Sequence, residues 1–72
     1  MKTIPIDERM AHSILASMNA SWDYGRNYMK EYSREATGID AQVFRAIASC
    51  YPEIAAQYAD LSYSITRAGG TL

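Results

Sequence analysis

The sequence is short of the features that make a small domain easy to classify. It has one cysteine, Cys50, so no disulfide can staple the fold and no C-x-x-C pair can hold a metal. The thiol falls within an apolar helical pattern and reads as a small buried or half-buried hydrophobe, compatible with a reducing compartment. The single histidine, His12, leaves no pair at metal-ligand spacing and one base for any conceivable catalytic triad. It is expected to be an ordinary surface or rim histidine. Glycine is also sparse, at four residues, and Gly69-Gly70 has no helix after it to form a phosphate loop.

Long apolar runs are missing as well. No stretch approaches the ~18–20 apolar residues that span a bilayer. The lead-in from Met1 to Ile6 has no apolar core after Lys2, so it does not read as a signal peptide. A soluble, cytoplasmic protein is expected. An excess of positive charge is absent too: seven basic residues face eight acidic ones, for a net charge of -1 and a pI near 5.6. Dedicated nucleic-acid binders are usually basic, because phosphate contacts supply most of their affinity.

What is there points to helices. Seventy-two residues allow one domain. A chain of this size buries only roughly 60–65% of its unfolded surface, which makes self-association a natural source of further burial. Asp7 is a good N-cap with Glu8 in the first turn. Met10, Ile14, Leu15 and Met18 follow at helical spacing, giving a first helix over about residues 8–18. Asn19 and Ser21 favour a break there, with a second helix over 22–36. The alternative is one long helix from Glu8 to Ala36, with Gly25 tolerated at a cost of about 1 kcal/mol.

On the second helix, Trp22, Met29, Tyr32 and Ala36 point towards the core, and Arg26, Lys30 and Arg34 stack at i, i+4 and i+8. Gly38 would follow its end in a left-handed conformation. Asp40 would cap a third helix over 40–50, with Val43, Phe44, Ile47 and Cys50 inward and Gln42, Arg45 and Ser49 outward. Pro52 suits the first turn of a fourth helix, 52–67, carrying Ile54, Tyr58, Leu61 and Ile65 as its apolar stripe. Gly69-Gly70 closes it, leaving Thr71-Leu72 as a frayed tail. The expected fold is a single all-α domain of three to four short helices with a helix-turn-helix-like centre at 22–50.

Little in this pattern suggests catalysis. Glu31 and Glu35 share a helix face at a spacing suited to a general acid/base pair, but their basic neighbours favour a solvated charged face. None of the serines lies in a nucleophile elbow. The chain is expected to be a non-enzyme without metal or cofactor. Tyrosines are plentiful, at 24, 28, 32, 51, 58 and 63. Tyr32, Tyr51 and Tyr58 sit on or beside the inward stripes and bulk out a core short of leucine. Tyr24 and Tyr28 lie at the edge of the apolar face and suit an interface, since tyrosine combines large apolar area with a polar handle.

The run Gly38-Ile39-Asp40-Ala41-Gln42-Val43-Phe44-Arg45, followed by Tyr51-Pro52-Glu53-Ile54 and Gln57-Tyr58-Ala59, resembles the DNA-binding helix-turn-helix of phage terminase small subunits. There a "G-[IV]-S-x-x-T-[VF]-Y-R-W" run precedes a "P-E-F-x-x-x-Y-A" helix. The resemblance covers about residues 32–59. It implies a turn at Gly38, Phe44 and Ile47 within the core, and Gln42 and Arg45 facing DNA. The sequence departs from that pattern at Ala46 and Ile47, where the family shows arginine and tryptophan, and at Arg34, where a small residue is usual.

Two functions are therefore expected in turn. The first is a small protein-binding module, a regulator or inhibitor of phage or mobile-element origin, with Tyr24 and Tyr28 as anchors and Arg26, Lys30 and Arg45 orienting the partner. The alternative is a helix-turn-helix DNA binder that reads bases with Gln42, Arg45 and Ser49 and holds phosphates with Arg26, Lys30 and Arg34. A homodimer is expected in either case, built from Met10, Ile14, Met18, Leu61 or Ile65.

Overall fold

The computed structural model describes residues 5–27 and 33–72, with the backbone alone at 25–27. The chain is all-α. Helix α1 spans Glu8–Asn27, α2 Arg34–Cys50, α3 Pro52–Ala55 and α4 Ala59–Arg67, with a 3₁₀ turn at Ala56–Tyr58 between the last two. No strand occurs among the described residues.

Helix α1 begins where the sequence places it. The Asp7 side chain accepts the Met10 N–H at 2.9 Å, and its carbonyl accepts the Ala11 N–H at 2.9 Å. The expected break at Asn19–Ser21 does not form, because α1 runs through it to Asn27. The reason is burial. Ala11, Leu15 and Trp22 recur at i, i+4 and i+11 and are all buried. Polar residues cost a helix about 0.7 kcal/mol each at most, whereas burying a large side chain gains roughly 1.5–3 kcal/mol. Met10, on the stripe expected to supply a dimer contact, is 48% exposed.

The expected 22–36 helix is divided, since its first residues belong to α1 and Arg34 opens α2. Ser33 is the cap: its backbone is extended (φ -65, ψ 158) and its hydroxyl accepts the Ala36 N–H at 3.0 Å. Gly38, expected in the turn, lies inside α2. Asp40, expected as a cap, lies in mid-helix. A turn at Gly38 would detach Thr37 from a buried stripe that continues through Ala41, Phe44 and Ile47. Keeping that stripe outweighs the ~1 kcal/mol cost of a helical glycine.

Helix α2 stops at Tyr51, whose backbone leaves the helical region (φ -134, ψ 66) ahead of Pro52. Pro52 opens α3 as expected, and the Ile54 and Ala55 N–H groups both donate to the Tyr51 carbonyl at 3.1 Å. The expected continuous helix over 52–67 is instead interrupted at Ala56–Tyr58. The interruption accompanies a contact to α1, since the Tyr58 hydroxyl donates to the His12 carbonyl at 3.3 Å. It also lies 3.4 Å from His12 Nδ1. A phenol has one proton, so both bonds coexist only when Nδ1 carries the imidazole hydrogen.

The core draws on every helix: Ala11, Leu15 and Trp22 meet Phe44, Ile47, Ile54, Leu61 and Ile65, with Tyr51 and Tyr58 packed around them. Trp22 Nε1–H donates to Asp40 Oδ2 at 2.8 Å, joining α1 to α2. The Tyr51 hydroxyl donates to the Ile6 carbonyl at 2.6 Å and ties down the lead-in. Cys50 is half-buried. Leu61 and Ile65 are fully buried within the chain, so they cannot form the dimer contact expected of them.

Gly69, at φ +102, ends α4 in a Schellman motif. The Gly70 N–H donates to the Ile65 carbonyl and the Gly69 N–H to the Thr66 carbonyl. The two glycines thus have opposite expected responses to alanine. Nothing lies within 4 Å of a Cβ added at Gly38, so Gly38→Ala should stabilise the protein by about 0.5–1 kcal/mol. Gly69→Ala should destabilise it by about 1 kcal/mol or more. Denaturant melts of both variants check this, and a destabilising Gly38→Ala would restore the turn at that position.

Candidate binding face on helix α2

On α2, Arg34, Gly38, Gln42, Arg45 and Ser49 are all exposed. At ~100° per residue their spacing holds them within an arc of about 80°. Along the axis they cover about 22 Å at ~1.5 Å per residue. The outward orientation expected of Gln42, Arg45 and Ser49 is therefore present, and Arg34 joins them on one face. Neither Arg34 nor Arg45 makes an ion pair among the described residues.

The N-terminal part of this face borders an open cleft of about 690 Å³ between α2 and the chain beyond α4. Arg34, Gln42 and Arg45 line one side and Gly69, Gly70 and Thr71 the other. The second wall is held close by Gly70. A Cβ there would fall 2.5 Å from Ile65 Cγ2 of α4 and 3.3 Å from Ala41 Cβ of α2, so a side chain would push the turn away from both helices. Thr71, expected in a frayed tail, is thus part of a formed surface. The signal for this was the second glycine: one completes the helix cap, and another beyond it marks a close backbone approach.

Among the described residues no carboxylate lines the cleft. Asp40 is turned to the Trp22 indole, away from this face. Glu35 is exposed in the first turn of α2 but is not part of the lining. Thr37, also in the lining, is 3% exposed, and its Oγ1 is buried without a hydrogen-bond partner among the described residues.

The other expected site residues are scattered or out of view. Tyr24 is 56% exposed on α1. The Arg26 side chain, and Tyr28, Lys30, Met29, Tyr32 and Glu31 entirely, lie outside the described residues. The expected stack of Arg26, Lys30 and Arg34 on one helix does not exist, because Arg26 belongs to α1 and Arg34 follows the extended Ser33 cap of α2. His12 is half-buried against Tyr58, with ring centroids 6.2 Å apart at 60°. Among the described residues no group of three or more His, Cys, Asp or Glu side chains is arranged to hold a metal ion. No helix among them is long and apolar enough to cross a membrane.

Compared with known proteins, the chain matches no family model, no curated protein and no solved structure.

The Thr37 hydroxyl gives a direct test of the local geometry. Replacing a buried, unpartnered hydroxyl with a methyl of similar shape removes a desolvation cost of about 1–3 kcal/mol. Thr37→Val should therefore raise stability by about 1 kcal/mol, since valine and threonine have similar helix propensities. A loss of stability in a thermal melt would mean that the hydroxyl has a partner.

Proposed function

We propose that the chain is a non-enzymatic binding module, a regulator or inhibitor that docks on a larger protein through the exposed face of α2, with Tyr24, about 160° round α1 from the buried Trp22, as an anchor on a separate face. The observation that carries this reading is the arc of Arg34, Gln42, Arg45 and Ser49, exposed together on a molecule of net charge -1. Arginine and tyrosine are enriched at protein interfaces, and a rim of paired charges gives such an interface orientation and on-rate. Arg45 serves the reading best, because it lies both on the arc and beside the cleft. Arg26, Tyr28 and Lys30, whose side chains lie outside the described residues, are proposed as contacts of the same partner from their sequence pattern alone. The terminase-like run falls within this region and is the ground for proposing a phage or mobile-element origin.

A second reading is supported by the same arc. Glutamine, arginine and serine exposed along one helix, with Arg34 a few turns away, is also the chemistry of a helix that reads a DNA major groove. The acidic balance of the chain weighs against it, since affinity for DNA depends mainly on phosphate neutralisation. A homodimer, if it forms, would use Met10 with the half-buried edges of Ile14 and Met18. Sedimentation at micromolar concentration would report it as twice 8.0 kDa.

The decisive measurement is affinity for the purified partner, identified by capture from a host lysate. Tyr24→Ala should weaken binding by about 2 kcal/mol and Arg45→Ala by about 1–2 kcal/mol, with circular dichroism unchanged. Unaltered affinity in both folded variants would refute the docking face. Micromolar binding to mixed duplex DNA at low salt, lost in Arg34→Ala and Arg45→Ala, would favour the second reading instead.

A further inference from the structure

We infer that the trough between α2 and the Gly69-Gly70 turn receives an extended acidic segment of the partner protein, about five residues long, with a carboxylate near each end. This rests on the protein-docking reading above and gives that partner its chemistry.

Length is the first argument. Arg34 and Arg45 both line the trough and lie eleven residues apart on one helix. At ~1.5 Å per residue they are separated by about 16 Å along its axis. An extended chain advances ~3.3 Å per residue, so the first and last side chains of five residues stand about 13 Å apart, within reach of two long arginine side chains.

Shape is the second. Between the arginines the lining includes Gly38, Ala41 and Gly70, none of which rises far above the backbone, with the buried Thr37 and the longer Gln42 beside them. The space above Gly38 is open, with no atom within 4 Å of where a Cβ would stand. A peptide main chain can therefore lie flat along the floor. A folded surface or a helix about 10–12 Å across would have to ride above it.

Hydrogen-bonding capacity is the third. The Gln42 amide stands between the arginines and offers both a donor and an acceptor to a passing peptide bond. On the opposite wall, Thr71 makes no backbone hydrogen bond among the described residues, leaving its main-chain groups open to the same segment. Each guanidinium is a planar fork that matches a carboxylate in bidentate geometry. Among the described residues no carboxylate lines the trough to compete for either one.

The same features disfavour nucleic acid as the occupant. Two phosphate contacts supply a salt dependence of only about -1.8 in the log-log slope, too little to hold a polyanion on a net-acidic molecule. A carboxylate-bearing peptide needs only the two local contacts and the floor.

The test uses the full ¹⁵N-labelled chain, titrated at low salt with a capped pentapeptide bearing glutamate first and last and serine or alanine between. Saturable amide shifts confined to residues 34–45 and 68–71 are expected. Arg34→Gln and Arg45→Gln should each weaken binding about two- to fivefold, the range for exposed ion pairs. Gly38→Leu, which fills the floor on an exposed helix face, should abolish it while the chain stays folded. The inference is overturned if the glutamine-for-glutamate peptide binds equally, if the shifts fall elsewhere, or if millimolar peptide produces none. It is equally overturned if short duplex DNA moves the same amides at a lower concentration than the peptide, which makes phosphate the ligand. The two readings fail separately. Partner binding that still depends on Tyr24 and Arg45, together with a silent peptide, removes the trough and leaves the docking face. Peptide binding in the trough with partner affinity indifferent to both residues does the reverse.

Discussion

The arrangement of this protein depends on the Trp22 indole and its bond to Asp40. Trp22 is the largest side chain in a thin core and is only 5% exposed. A buried indole N–H needs an acceptor, and Asp40 Oδ2 supplies one at 2.8 Å. That bond fixes the rotation of α2 about its own axis. At ~100° per residue, Asp40 stands about 160° around the helix from the centre of the arc that holds Arg34, Gln42, Arg45 and Ser49. Turning Asp40 towards α1 therefore turns the arc away from it. It also removes from the surface a carboxylate that would otherwise weaken the positive field there.

Secondary contacts hold the remaining elements to this pair. Tyr51 binds the Ile6 carbonyl and Tyr58 the His12 carbonyl, so the lead-in and the kinked α3–α4 segment are both secured by tyrosine hydroxyls whose rings pack on the core. In a chain with so few large aliphatic residues, tyrosine contributes bulk and a directed bond from one side chain. At the far end, Gly69 and Gly70 divide two tasks. The first takes the left-handed turn, and the second lets the chain pass against Ala41 of α2. The cleft exists because of the second.

The features legible in the sequence were those with local causes. The Asp7 cap, Pro52 at the start of α3 and the glycine stop after α4 each depend on residues within one turn, and each is found where local chemistry places it. The misread positions were those where a local signal meets a distant contact. Asn19 and Ser21 carry a real preference to break a helix, but Trp22 is buried on the same stripe as Ala11 and Leu15. Thr37-Gly38 has the composition of a stop, but Thr37 belongs to the stripe that ends at Ile47. The cap at Ser33 was hidden because residues 22–36 carry one plausible helical period. The outward set of Gln42, Arg45 and Ser49 survived these errors because register within α2 does not depend on where the helix begins. The second wall of the cleft had only a glycine pair to announce it.

The claim that the Trp22–Asp40 bond governs the placement of α2 is open to one direct measurement, a double-mutant cycle with Trp22→Phe and Asp40→Ala read by chemical denaturation. Phenylalanine keeps most of the apolar ring and removes the N–H, so the cycle isolates the bond from the loss of bulk. A hydrogen bond to a half-buried carboxylate predicts a coupling energy of about 1–3 kcal/mol. Additivity within about 0.3 kcal/mol would contradict the account.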